Sequence, residues 1–405
     1  MADKHKPEKQ RRPSGTNTKL SHGGRGLVHQ FGAVNPPIMR ASTILFDDYQ
    51  AFLDRKNRDR FKGEFAYGRL GNPVSISLEK LVAELEGAAE CISVSSGVAA
   101  FSSALLGFLG AGDHLLVADS VYEPTRHFTA GFLKHLGIET EFYDPTIGAG
   151  IEKLCRPNTK VIFLESPGSL TFEVQDLPAI AEVAQRRGIV TMIDNTWASP
   201  LGLQPLALGV DISIHAATKH IVGHSDATLG LVCANAKTAE TTRKTIWGLG
   251  HCAGSEEAYL GLRGIRTMAV RLERSAASGL LVAQWMQQRA EVGQVHFPPL
   301  PEDPGHALWK RDFTGSCGLF SISLAKAYPT KAIAAMVEGY RYFGLGASWG
   351  GYESLVLPAF PEKLRSAKPW KGTGPVVRFY IGLEEPADLI ADLEEGFDRL
   401  EKAAG

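Results

Sequence analysis

LPAIAEVAQRRGIVTMIDNTWA, residues 177–198, holds the two patterns that decide the fold. Its first half, Leu177–Arg187, spaces apolar residues three and four apart, so they share one face of a helix. Gly188 follows where a helix needs a stop. The next run, Ile189–Ile193, is apolar and of strand length, and it ends on a carboxylate, Asp194. The same alternation continues in both directions. Upstream, Ser77–Leu85 carries helical spacing as far as Gly87, and Cys91–Ser95 reads as a short buried strand. Gly97 opens an Ala- and Leu-rich helix over Val98–Leu109. A strand at His114–Ala118, a helix near Arg126–Leu136 and a strand at Lys160–Leu164 come next. Downstream, Asp211–His215 and Leu229–Ala234 look like the last strands of the series. Apolar strands separated by helices predict an α/β fold, with a largely parallel sheet covered on both faces.

The pattern changes after about Arg266. A long helix, Thr267–Arg289, is followed by strands at Gly318–Leu324 and Val376–Ile381 and a final helix at Ala387–Ala403. These predict a smaller C-terminal α+β domain. The expected division is a tail and arm over 1–66, a main domain over 67–265 and a C-terminal domain over 266–405.

Composition narrows the function classes. The 405 residues are 44% hydrophobic and 21% charged, which suits a globular chain with a large core. A net charge of −1 predicts no broad pull toward nucleic acid or an anionic membrane. Cys91, Cys155, Cys233, Cys252 and Cys317 are odd in number and scattered, which argues against a disulfide framework and fits a reducing compartment. Gly or charged residues break every candidate membrane-spanning run. The first 20 residues are basic and polar (KHKPEKQRRPSG, 4–15) without an apolar core, so they predict a disordered tail and not a secretory signal. Cytoplasm is the default location.

Chemistry concentrates around SIHAATKHIVGHSD, residues 213–226. Lys219 comes directly after a buried strand, among small and hydroxyl residues. Most lysines are solvated. Burial penalises the charge of this one and lowers its pKa, which makes the amine a nucleophile able to condense with an aldehyde. Thr218 beside it could donate its hydroxyl to a phosphate. Asp194, at the end of an apolar strand, needs a cationic partner; the alternative is a turn or N-cap residue. With Lys219, the pairing points to pyridoxal 5′-phosphate (PLP), whose pyridine nitrogen a carboxylate keeps protonated so that the ring acts as an electron sink. Ser95-Ser96-Gly97-Val98 lies between a strand and a helix, where free backbone N–H groups face an anion. Tyr122, after the next strand, is placed to stack on a planar ring, or else is a half-buried core tyrosine.

Further stretches fall into line with these. They are YGRLGNP (67–73), GDHLLVADSVYEP (112–124), LESPGSLTFEV (164–174), IDNTWA (193–198), AATKHIVGHSDATLG (216–230), GLRGIRT (261–267), KRDFTGSCGLFS (310–321), SWGGYESL (348–355) and RFYIGLE (378–384). In this order, from Tyr67 almost to the C-terminus, the chain resembles the γ-subfamily of fold-type I PLP enzymes, the Cys/Met metabolism group. The resemblance implies a mostly parallel seven-stranded sheet and the following roles. Lys219 holds the cofactor as a Schiff base and shuttles protons. Tyr122 stacks on the ring and counts with Lys219 as catalytic. Asp194 pairs with the pyridine nitrogen, and Gly97, Val98 and Thr218 hold the phosphate. Tyr67 and Arg69 reach the phosphate from a neighbouring subunit, in a homotetramer built as a dimer of dimers. Arg378 clamps the substrate α-carboxylate in a fork that lysine does not reproduce, with Ser348 and Trp349 beside it.

Two positions depart from the group. Ala216 stands where many members have serine, and Ser169 where γ-acting members have Asn. Trp349 also follows Ser348, where γ-acting relatives have Leu. The implied reaction is β-elimination of L-cystathionine, a small sulfur amino acid, to homocysteine, pyruvate and ammonia. γ-Elimination, γ-replacement and cysteine desulfuration are the alternatives within the group. A catalytically inactive binding protein is the alternative of another class, and the intact Lys219, Asp194 and Arg378 weigh against it. His220 and His224 form H-x-x-x-H, but Gly223 between them argues against a metal-binding helix and for structural roles. No dinucleotide fingerprint follows a strand.

Overall fold

Strands that read as apolar throughout are buried along their whole length, because helices cover both faces of their sheet. The computed structural model describes residues 14–25, 33–60, 63–372 and 374–405. Seven strands form the first sheet: β1 (Glu90–Val94), β2 (His114–Ala118), β3 (Glu139–Tyr143), β4 (Thr159–Glu165), β5 (Val190–Asp194), β6 (Ile212–His215) and β7 (Gly230–Ala234). Their spatial order is β1-β7-β6-β5-β4-β2-β3. All neighbours run parallel except β7, which is antiparallel to β1 and β6. The expected mostly parallel sheet is therefore present, with one reversed strand near its edge. β3 escaped the sequence reading. Its ETEFY run is polar because it lies at the sheet edge, where only Tyr143 is fully buried.

Local signals end two of the helices where the sequence placed their stops, while the helix expected over Val98–Leu109 ends earlier, at Leu106. The helix Leu177–Arg187 begins at Asp176, whose carboxylate accepts from the Ala179 N–H, and ends at Gly188 with φ of 67°. The helix Pro73–Glu86 starts from a reciprocal cap between Asn72 and Ser75. Leu78, Leu81, Val82 and Leu85 of that helix are buried. The expected helix near Arg126–Leu136 is instead Glu123–His127, a π-helical Phe128–Phe132 and Leu133–His135.

A second sheet has the order β10-β11-β12-β9-β8. Its strands are β8 (Val292–His296), β9 (Leu319–Leu324), β10 (Gly344–Leu345), β11 (Leu355–Ala359) and β12 (Val376–Tyr380). The helices Met268–Met286 and Pro386–Ala404 agree with the long and final helices expected there. The turn after β5 meets the second sheet, where the Trp197 indole donates to the Leu319 carbonyl of β9 at 3.0 Å.

The N-terminus corrects one expectation. Thr16–His22 is a helix, not disordered tail, because Leu20 is buried and Arg266 donates to the carbonyls of Leu20 and Gly23. The rest of the basic segment, to residue 13, lies outside the described residues. All five cysteines are free thiols. Among the described residues, no helix is long and apolar enough to cross a membrane.

Candidate active site

In open parallel sheets, ligands bind beyond the carboxyl ends of the strands. Here the ends of β4, β5 and β6 and the turns after β1 and β2 open into one cavity of about 220 Å³. Glu165, Asp194, Lys219, Tyr122, Trp349 and Arg378 all line it. Gly97, Val98 and Thr218 line it as well. The strand ends of the main sheet thus gather most of the residues singled out from sequence, and β12 of the second sheet adds Arg378.

Lys219 follows β6 in a run of tight turns that includes Gly223 at φ of 72°. This is not a helix, as the glycine suggested. The Lys219 Nζ donates to Ser348 Oγ at 2.6 Å and lies 5.3 Å from the centre of the Trp349 ring. Burial pulls its pKa down to about 8; the Arg378 charge adds to this and Asp194 opposes it. His220 packs against Trp349 with ring centres 5.3 Å apart, and burial pulls its pKa to about 3. His224 Nδ1 is 2.7 Å from the Val222 carbonyl. Both histidines are thus built into the turn.

Asp194 sits between both of its sequence readings. Its Oδ1 accepts from the Thr196 N–H at 2.9 Å, which is a turn contact, while the residue also faces the cavity. Burial raises its pKa, against the Thr196 hydrogen bonds and the charges of His215 and Lys219. Beside it stands a residue the sequence reading quoted only within a longer stretch. Glu165 is the register partner of Asp194 across β4 and β5, and it accepts from the Tyr122 N–H at 2.7 Å. Desolvation, then the neighbouring Asp194 charge, pushes its carboxyl well above the usual range. Two carboxylates this close do not share the anionic state freely. The signal for Glu165 was available in sequence, since it also ends an apolar strand.

The turn after β1 presents free backbone N–H groups to the cavity. Ser96 caps the helix Gly97–Leu106 through its hydroxyl on the Ala99 N–H, which leaves the Gly97 and Val98 N–H groups without an acceptor among the described residues. A Cβ on Gly97 would lie 2.7 Å from the Ala216 Cβ, so this glycine and the unusual Ala216 fit together. Gly97→Ala is expected to destabilise the chain by about 1–3 kcal/mol through overpacking. It should also weaken PLP retention. Thermal unfolding and cofactor titration check both effects, and a variant that matches the parent in both would contradict the packing account. The Thr218 hydroxyl, expected to face a phosphate, donates to the Leu229 carbonyl at 3.2 Å and accepts from its N–H at 2.9 Å. It lines the cavity while tied to the backbone of the neighbouring turn.

Arg378, 8% exposed, donates through Nη2 to the carbonyls of Ala347 (3.0 Å) and Ser348 (3.2 Å). Among the described residues it pairs with no carboxylate, and burial pulls its pKa to about 10. A buried cation with backbone support and no anion is suited to a carboxylate ligand. Tyr67 and Arg69 are not part of this cavity. Tyr67 is 45% exposed, and Arg69 Nη1 donates to the Trp247 carbonyl at 2.8 Å.

This architecture agrees with what related proteins show. The chain belongs to the Cys/Met metabolism PLP-dependent enzymes, whose family profile matches residues 17–398. It is 49% identical over 387 residues to a putative cystathionine beta-lyase of Rhizobium johnstonii, covering 95% of this chain and 96% of the relative. It is 43% identical over 391 residues to the cystathionine beta-lyase of Escherichia coli, covering 95% and 98%. Among solved structures, a cystathionine gamma synthase from Xanthomonas oryzae superposes with a TM-score of 0.87 at 30% identity, covering 97% of this chain and all of the other. The chain is therefore a PLP-dependent enzyme acting on a small amino acid.

Proposed function

We propose that this enzyme is a carbon–sulfur lyase that converts L-cystathionine and water into homocysteine, pyruvate and ammonia by β-elimination. The observation that carries the reading is Arg378, a buried cation without a carboxylate partner among the described residues, opening on the same cavity as an amine whose pKa is about 8. Relatives named cystathionine beta-lyase at 49% and 43% identity support this substrate over its γ-cleaved alternatives.

The residues fit the family's cofactor on three counts. Gly97 and Val98 present backbone N–H groups at a helix start, Asp194 offers a carboxylate inside the cavity, and Lys219 offers a depressed amine. PLP, when bound, supplies the electron sink for the pair released at Cα. The chain's own groups do the rest. Arg378 receives the α-carboxylate in a bidentate fork and so turns the Cα proton toward Lys219. The Lys219 amine takes that proton as general base and returns one to the departing sulfur. The Cβ–S bond breaks, homocysteine leaves, and hydrolysis of the remaining three-carbon fragment gives pyruvate and ammonia. Ser348 orients the Lys219 amine, Trp349 walls the channel beside it, and Tyr122 lines the cavity where it would stack on a bound ring. A coupled assay for pyruvate on L-cystathionine tests the reading: steady pyruvate release with one free thiol per turnover supports it, and none would refute it.

A second copy completes the site in this reading, within a homotetramer in the cytoplasm. The exposure of Tyr67 and the position of Arg69 outside their own chain's cavity support that arrangement. Arg69→Ala and Lys219→Ala chains, each inactive alone, should regain up to about a quarter of parent activity when unfolded and refolded as mixtures, since one site per hybrid dimer is intact. Verified hybrids with no activity would rule out sharing.

A further inference from the structure

The connection between β11 and β12 holds two segments that adjoin the Lys219 cavity, the one after β2 and the one after β4. The first partner is Asp119, buried just after β2. Its carboxylate accepts from the backbone N–H groups of Ser366 (2.9 Å), Ala367 (2.9 Å) and Lys368 (3.0 Å), from the Ser366 hydroxyl (3.0 Å) and from the Arg126 guanidinium. Tyr122 lies three residues further on. The second grip is made by Arg365, which adjoins Ser366 in the chain and whose side chain is 4% exposed. It donates to both carboxylate oxygens of Glu173, at 3.0 and 2.9 Å, and to the Thr171 hydroxyl. Its Nη1 is buried with no acceptor among the described residues, so the Glu173 contact is the main compensation for taking the guanidinium out of water.

The segment held this way is under strain. Leu170 (φ 67°) and Phe172 (φ 56°) both adopt the left-handed conformation that bulky residues rarely take, on either side of Thr171. Such a conformation persists only where its surroundings over-determine it. The Ser169 N–H to the Ser120 carbonyl (2.7 Å) and the Phe172 N–H to the Gly168 carbonyl (3.0 Å) are part of that support. Ser169, Leu170 and Phe172 line the cavity, so the strained turn is one wall of the substrate chamber.

We infer that Arg365 is a positioning residue: through Glu173 and Thr171 it holds the Ser169–Phe172 turn in its strained form, and the turn shapes the chamber that receives the substrate. The catalytic consequence rests on the proposed lyase reading; the structural one does not. Arg365 touches none of the reacting groups, so its loss loosens substrate binding more than it slows the chemistry. In the holoenzyme, Arg365→Met should raise the KM for L-cystathionine about ten-fold and leave kcat within about two-fold, with Arg365→Lys intermediate. The visible absorption of the bound cofactor should match the parent.

A second readout needs no activity. Hydrogen exchange in peptides spanning 168–174 of the cofactor-free chain should speed up about ten-fold in Arg365→Met and in the near-isosteric Glu173→Gln, while β5 and β6 stay protected. Glu173→Gln keeps the test open if Arg365→Met fails to fold. Exchange equal to the parent overturns the inference, as does faster exchange with an unchanged KM in an active enzyme. A parent chain that releases no pyruvate would instead refute the lyase reading, and the exchange data would still decide the role of Arg365.

Discussion

Lys219→Ala should lower pyruvate release from L-cystathionine by at least ~10⁴-fold, because a positioned general base alone contributes roughly 10²–10⁴-fold and the covalent hold on the cofactor goes with it. The loss should be chemical and not structural. At neutral pH the parent carries an amine whose pKa is depressed to about 8 from 10.5, which is a folding penalty. Between those values the unfolded chain binds more protons than the folded one, so stability from this group rises with pH through that window. The penalty is fully present below pH 8 and gone above 10.5. Cofactor-free Lys219→Ala should therefore melt at or above the parent temperature at pH 7, with the gain shrinking toward pH 10. Thermal unfolding across pH checks the sign. A variant that unfolds earlier than the parent at pH 7 would mean that the Nζ contact with Ser348, at 2.6 Å, outweighs desolvation.

Arg378→Lys carries the second largest expected effect, about a 10²-fold loss in kcat/KM, or roughly 2.7 kcal/mol. The charge survives the substitution, but the fork does not. Lysine presents one ammonium where the guanidinium offers two parallel N–H groups to a carboxylate. It also cannot reproduce the Nη2 contacts to Ala347 and Ser348 while still reaching a ligand. Because Ser348 holds Lys219 as well, the loss should appear in kcat and not in KM alone. Steady-state kinetics separate the two parameters. A lysine variant with parent kcat/KM would show that the carboxylate is bound elsewhere.

The sequence was most informative where a chemical group ends an apolar strand. Asp194 and Lys219 stood out because β5 and β6 read as buried runs, and a charge at the end of such a run needs a reason. Glu165 ends β4 in the same way, yet its partner Asp194 lies on another strand, and only the pairing of β4 with β5 sets the two carboxylates side by side. The Thr218 hydroxyl looked free because its backbone partner, Leu229, belongs to the turn before β7. The hold of Arg365 on Thr171 spans 194 residues and leaves no local signature. The N-terminal helix was hidden for a related reason: its polar TNTKLSH sequence buries one leucine, and its support comes from Arg266. Periodicity reports what a residue's own element buries; contacts between distant elements need the assembled fold.

All of this chemistry depends on Lys219 being the residue that holds the cofactor. The most direct measurement is reduction of the purified holoenzyme with borohydride, followed by tryptic digestion and mass spectrometry. The account predicts one pyridoxyl-labelled peptide, with the mass increment on Lys219 and near-stoichiometric loss of the visible absorption band. Unmodified Lys219 with the label on another lysine would contradict it.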